Sequence, residues 1–119
     1  MTGLVVEWRP RDFGGMWDHV AGIVHNDAVR NGWWEHDRNN YEMFALVHSE
    51  VSEAVEALRN PNPPSIKAAG YSAVEEELAD IVIRIMDLAC RRCWDVAGAI
   101  EAKIAYNRGR PYRHGGKDA

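Results

Sequence analysis

Two pairs of carboxylates stand at helical spacing in the middle of the chain: Glu50 with Glu53, and Glu77 with Asp80. Residues three apart are neighbours on a helix surface, with Cβ atoms about 5–6 Å apart. If the helices that bear them pack antiparallel across the intervening loop, the pairs face each other and four carboxylates converge. Like charges gathered in one place repel. Such a cluster calls for a cation, and an all-oxygen donor set favours a hard ion such as Mg²⁺, Mn²⁺ or Ca²⁺. Either pair alone reads more simply as a solvated acidic face. Two pairs on consecutive helices, each beside an apolar stripe, carry more weight than one.

A second oddity lies near the end. Val96, Ile100 and Ile104 define an apolar stripe, and Lys103 and Asn107 fall on or beside it, with Tyr106 adjoining Lys103. A lysine in that place either snorkels outward or meets a buried anion. Arg108, Arg110 and Arg113 follow at once. Lysine as a point charge and arginine as a planar fork both suit phosphate. Charge is partitioned to match. Residues 42–87 hold nine Asp and Glu against three Lys and Arg, whereas residues 103–119 hold five bases against one acid. An acidic middle suits cations and a basic end suits phosphates.

The elements that must position these groups read as four helices. The first spans about 16–31, with Trp17, Val20, Val24 and Ala28 on one stripe and Gly32 as its stop. The second spans about 41–59, with Phe44, Val47, Val51, Ala54, Val55 and Leu58 at helical spacing, ended by Asn60-Pro61-Asn62-Pro63-Pro64. Ser72 with Glu75 is a capping box that opens the third, which runs to about Cys93. Asp95 N-caps the fourth, which runs to Arg108 before Gly109 and Pro111. On a wheel of the third helix, Glu77, Asp80, Arg84, Asp87 and Arg91 share a stripe about 80° wide. Most of the remaining arc is apolar, which predicts a helix buried on most sides with its polar stripe along a cleft. Taken locally, Asp80–Arg84 and Asp87–Arg91 are ordinary i,i+4 ion pairs. Residues 1–15 read as an N-terminal arm in which 4–8 could be a short strand, residues 16–110 as one all-α domain, and residues 111–119 as a basic tail.

Other classes are argued against. The chain has 119 residues, 46% apolar and 27% charged, with a net charge of −4, which fits one globular domain. No apolar run reaches the ~18–20 residues of a membrane span, the start lacks a basic n-region, and two cysteines make no disulfide framework. The reading is an intracellular, cytoplasmic protein with no membrane partner. The negative net charge argues against nucleic acid, since the basic residues lie beside the acidic site. A di-iron bundle would need Glu-x-x-His on two helices, and none of the five histidines has a glutamate three residues before it. Phosphate-binding glycine loops are also absent. Cys90-x-x-Cys93 lies within a helix with no second pair to complete a zinc site. His48 reads as structural. Trp33, Trp34 and Tyr41 offer surfaces on which a base could stack, although paired tryptophans more often belong to a core.

Taken as a set, these stretches resemble the MazG-like, all-α nucleoside triphosphate pyrophosphohydrolases. The matching segments are Ala28-Val29-Arg30-Asn31-Gly32-Trp33-Trp34, Leu46-Val47-His48-Ser49-Glu50-Val51-Ser52-Glu53-Ala54, Glu76-Glu77-Leu78-Ala79-Asp80-Ile81-Val82 and Lys103-Ile104-Ala105-Tyr106-Asn107. The ending, Arg110-Pro111-Tyr112-Arg113-His114-Gly115-Gly116-Lys117, is similar to that of small stand-alone, phage-type members. The resemblance implies a four-helix, bundle-like fold assembled as a homodimer or homotetramer with sites shared between protomers. It implies Mg²⁺-dependent cleavage (Mn²⁺ as a substitute) of a (d)NTP to (d)NMP and pyrophosphate, by metal-activated water attacking the α-phosphate. Glu50, Glu53, Glu77 and Asp80 would be the catalytic metal ligands. Lys103, Tyr106 and Asn107 would contact the nucleotide, with Arg110, Arg113 and Trp34 as further substrate-binding residues. Many members carry Glu-Glu-x-x-Glu where this chain has Ser49 before Glu50. Glu50 or a metal-bound hydroxide would then activate the water. Ser49 also motivates an alternative, a non-catalytic helical module that binds a nucleotide or a partner.

Overall fold

The computed structural model describes residues 10–112, and these form four α-helices: α1 (Pro10–Arg30), α2 (Asn40–Arg59), α3 (Ala73–Arg92) and α4 (Val96–Arg108). No strand occurs among the described residues; Pro64 and Ser72 make one isolated bridge. The all-α expectation holds. Residues 4–8, read as a strand or arm, and the tail from Arg113 onward lie outside the described residues. α1 begins at Pro10 rather than residue 16, so residues 10–15 are helical. Proline is well suited to a first turn, because its missing N–H would have no intrahelical partner there.

Local chemistry sets the helix ends. Gly32 has φ +84°, which glycine adopts at no steric cost, and Trp33 N–H closes the turn onto the Ala28 carbonyl at 3.0 Å. Asn39 caps α2 and Asp95 caps α4, each accepting a backbone N–H. Ser72 and Glu75 form a reciprocal capping box on α3. Cys93 ends α3 in the left-handed region, φ 59°. Gly109 stays right-handed at φ −85°, so Pro111, rather than a left-handed glycine, stops α4. Ser72→Ala removes a cap oxygen at the helix that carries Glu77 and Asp80. It is expected to cost about 1 kcal/mol in urea unfolding; no change in the unfolding midpoint would contradict the cap's role.

The loop 60–72 is tied down along its length. Asn62 Oδ1 accepts from Val74 N–H at 2.9 Å, Pro63 O from Ala73 N–H at 2.7 Å, and Tyr71 O from Ser65 N–H at 2.8 Å. Ser65 Oγ donates to Glu76 at 2.5 Å and accepts Ala68 N–H at 2.8 Å. The loop thereby sets how α2 returns into α3.

α3 is the central element, packing on α2 and on α1, while α4 packs on α1. Trp34, Met43 and Leu88 form the buried cluster, with Ala28, Trp33 and Leu46 against it. The orientation of α2 departs from the sequence reading. Its buried positions are Met43, Glu50, Ala54 and Ala57, whereas Phe44, Val51, Val55 and Leu58 of the apolar stripe are exposed. Met43, which clusters with Leu88 of α3, is the one large apolar side chain of α2 that is buried; the other buried positions are two alanines and a carboxylate, and Phe44, Val51, Val55 and Leu58 turn outward. α3 likewise leaves Leu78, Val82 and Ile83 exposed, so it is not buried on most sides within one chain. Among the described residues, no helix is long and apolar enough to cross a membrane.

Candidate metal centre

Packing of α2 on α3 carries Glu50 inward and brings α3's first turns against it. One carboxylate oxygen each from Glu50, Glu53 and Glu77 lie within 4.8 Å of one another. A second group, Glu76, Glu77 and Asp80, meets the same limit. The four sequence-selected carboxylates are thus linked through Glu77, which belongs to both groups, rather than gathered in one. Glu50 is buried at 7% exposure, Glu53 is exposed, and Glu77 and Asp80 are half-buried. Glu77 Oε2 is shut off from solvent and has no hydrogen-bond partner among the described residues. Its polar neighbours are other carboxyl oxygens, which accept hydrogen bonds unless protonated.

The charges answer to this crowding. Burial, followed by the proximity of Glu50 and Glu53, pushes the Glu77 carboxyl up to about 7. The adjoining Glu50 raises Glu53. Asp80 is raised by burial and then by Glu50 and Glu76, with Lys67 and Arg84 pulling the other way. Burial also acts upward on Glu50, but hydrogen bonds from Glu53, Arg84 and Glu77 outweigh it, and its carboxyl ends below the usual range. Within the cluster Glu50 is thus favoured in its ionised form, while Glu53, Glu77 and Asp80 take up protons more readily than free carboxyls do. That is the expected response of packed acids with too little positive charge nearby. A hard divalent ion fits this donor set: the ligands are all oxygen, one buried oxygen lacks a partner, and the excess charge is negative.

Two residues at this site were not picked out by spacing, and a third, Arg84, takes a different partner from the one its spacing suggested. Glu76 joins Glu77 and Asp80; its place four residues before Asp80 was the available signal. Lys67, in the loop 60–72, bears electrostatically on Asp80. Arg84 does not pair locally with Asp80: its Nε donates to Glu50 Oε1 at 2.9 Å, across the helix interface. Ser49, where the resemblance calls for glutamate, donates its hydroxyl to the Leu46 carbonyl at 2.6 Å.

The other expected local pair is also replaced by tertiary partners. Asp87, buried at 6% exposure, accepts from Trp34 Nε1 at 2.9 and 3.2 Å and lies 2.7 Å from His25 Nδ1. Arg91 pairs instead with Asp37 at 3.9 Å. Trp34, named as a substrate-binding residue, is buried in the core with its N–H on Asp87. Trp33 lies half-buried with the Arg38 guanidinium 3.6 Å above its ring. Tyr41 is exposed.

On α4, a groove of about 310 Å³ is lined by Val96, Ala99, Ile100, Lys103, Ile104 and Asn107. Lys103 Nζ sits 4.7 Å from the Tyr106 ring and Arg110 Cζ 5.3 Å from it, so the structure brings these three together. Among the described residues, no hydrogen bond or ion pair joins Lys103, Tyr106 or Asn107 to the four carboxylates. Arg113 lies outside the described residues. Among the described residues, Lys103 and Tyr106 of the α4 end are thus not joined to the acids of α2 and α3 by hydrogen bonds or ion pairs.

No protein-family model, curated protein or solved structure matches the chain.

Proposed function

We propose that the protein is a divalent-cation-dependent nucleoside triphosphate pyrophosphohydrolase that converts a (d)NTP to (d)NMP and pyrophosphate. The observation that carries this reading is the meeting of Glu50, Glu53 and Glu77 around a buried, partnerless oxygen. The MazG-like pattern of the sequence supplies the reaction class. Glu50, Glu53, Glu77 and Asp80 would hold Mg²⁺ or Mn²⁺. When bound, such an ion offsets the negative charge of the triphosphate and makes water more acidic. Water adds to the α-phosphorus, the bond to the bridging oxygen breaks, and pyrophosphate departs. A carboxylate of this cluster or a metal-bound hydroxide would take the proton, in place of the glutamate that Ser49 replaces. Ser49 cannot serve that role, because a hydroxyl bonded to a helix carbonyl is no base at neutral pH.

Assembly is part of the proposal. Phe44, Val51, Val55 and Leu58 on α2 and Leu78 and Val82 on α3 are large, apolar and exposed, as expected of faces that another copy covers. A homodimer or homotetramer would also give the Lys103–Tyr106–Asn107 cluster a route to acids on a neighbouring chain.

The test is a panel of ribo- and deoxyribonucleoside triphosphates with Mg²⁺, scored for monophosphate and pyrophosphate and repeated with chelator. Pyrophosphate release that stops on chelation is the expected result. Folded protein that releases none from any nucleotide would sink the proposal. Tight, calorimetrically measured nucleotide binding without turnover would instead favour the binding module that Ser49 motivates.

A further inference from the structure

Resting on the reading just given, we infer that Arg84 is a phosphate-binding residue of the same site, holding a phosphoryl group beside the carboxylates through its two terminal nitrogens. Arg84 is part-buried, and its one hydrogen bond among the described residues runs from Nε to Glu50 Oε1 at 2.9 Å. A guanidinium has five N–H donors in a fixed plane. One is taken by Glu50, and the four on Nη1 and Nη2 bond to nothing among the described residues. The group is also placed: its Cζ stands 5.5 Å from the Trp33 ring, and it lies one helical turn beyond Asp80, on which it acts electrostatically. The Nε bond to Glu50 anchors the fork, and the indole lies beside it.

A plain counter-ion role fits less well. An arginine whose whole task was to neutralise Glu50 would gain from using both edge nitrogens on the carboxylate, since paired N–H···O bonds are the favoured arginine–carboxylate geometry. Here a single Nε bond anchors the group and leaves the paired terminal donors for a second anion. A tetrahedral phosphate presents two oxygens at the spacing of that fork, whereas a lysine would offer only a point charge. The triphosphate is the anion that the proposed reaction brings to these carboxylates. Arg84 would therefore supply positive charge from α3 directly beside these carboxylates.

The probe is inorganic pyrophosphate, titrated calorimetrically at saturating Mg²⁺ into wild type, Arg84→Gln and Arg84→Lys. Mn²⁺ binding alone is measured in parallel by electron paramagnetic resonance. Losing charge-assisted hydrogen bonds is expected to weaken pyrophosphate binding by roughly 10–100-fold in Arg84→Gln. Arg84→Lys is expected to recover less than half of that loss on a logarithmic scale, because charge returns without the fork. Mn²⁺ affinity should change far less than pyrophosphate affinity. If Arg84→Gln fails to fold, Arg84→Lys carries the comparison alone. Binding within about twofold of wild type in the folded variants would overturn the assignment and leave the hydrolase reading standing. Wild type that binds neither Mn²⁺ nor pyrophosphate would bring down the hydrolase reading and, with it, the role of Arg84.

Discussion

Glu77→Gln is expected to lower Mg²⁺-dependent pyrophosphate release by about 100-fold or more while leaving the metal-free protein as stable as wild type or more so. Glu77 is the carboxylate common to both acidic groups, and its buried Oε2 has no partner among the described residues. Removing its charge takes away a ligand and relieves repulsion in one step. The two effects separate by experiment, with turnover read from pyrophosphate and stability from urea unfolding in chelator. pH adds a third reading. The folded carboxyl is raised from 4.5 to about 7, so between those values the native state binds more protons than the unfolded chain. Metal-free stability should therefore be full below about pH 4.5 and fall as pH rises through about 7. Mg²⁺ affinity should rise over the same interval, because the ion competes with the proton. Glu77→Gln should flatten this part of the stability profile. A variant with near-normal turnover, or one as pH-dependent as wild type, would remove Glu77 from the site.

Asp87→Ala is expected to be the most damaging single change to the fold, at about 3–5 kcal/mol. The carboxylate joins three segments: α3 itself, α1 through His25, and the turn after α1 through Trp34. Truncation leaves an indole N–H and a ring nitrogen part-buried or buried without partners, each costing about 1–3 kcal/mol. For a domain near this size the melting point should fall by more than about 10 °C. Asp87→Asn keeps the shape and one acceptor and should lose less. A drop below about 1 kcal/mol in Asp87→Ala would show that the contacts are incidental. Since Asp87 is remote from the carboxylate groups, folded Asp87→Asn should retain metal binding.

Features governed by adjacent residues were legible before any coordinates. Ser72 with Glu75, Asp95 before Val96 and the Asn60–Pro64 run mark helix ends because caps and prolines act within a turn of themselves. The facing of Glu50 and Glu53 toward Glu77 followed from helical spacing and one short return. What failed involved distance along the chain. Asp80–Arg84 and Asp87–Arg91 looked like local pairs, but Arg84 found Glu50 at 34 residues' separation and Asp87 found His25 at 62. An exposed i,i+4 pair contributes only about 0.3–0.5 kcal/mol, so a buried tertiary partner readily displaces it. The facing of α2 was misjudged for a similar reason. Apolar bulk marks what must be covered, not what covers it, and Phe44 and Val51 remain exposed here while Ala54 and Ala57 are buried.

Five of the nine buried apolar residues among those described are alanines. So thin an interior gives one copy little driving force of its own, since hydrophobic gain scales with the area removed from water. Any self-contact over the outward valines and leucines then adds to folding by mass action, and thermal midpoints become a function of dilution. If copies of the chain do meet over that face, a melting temperature has meaning only beside the concentration at which it was taken.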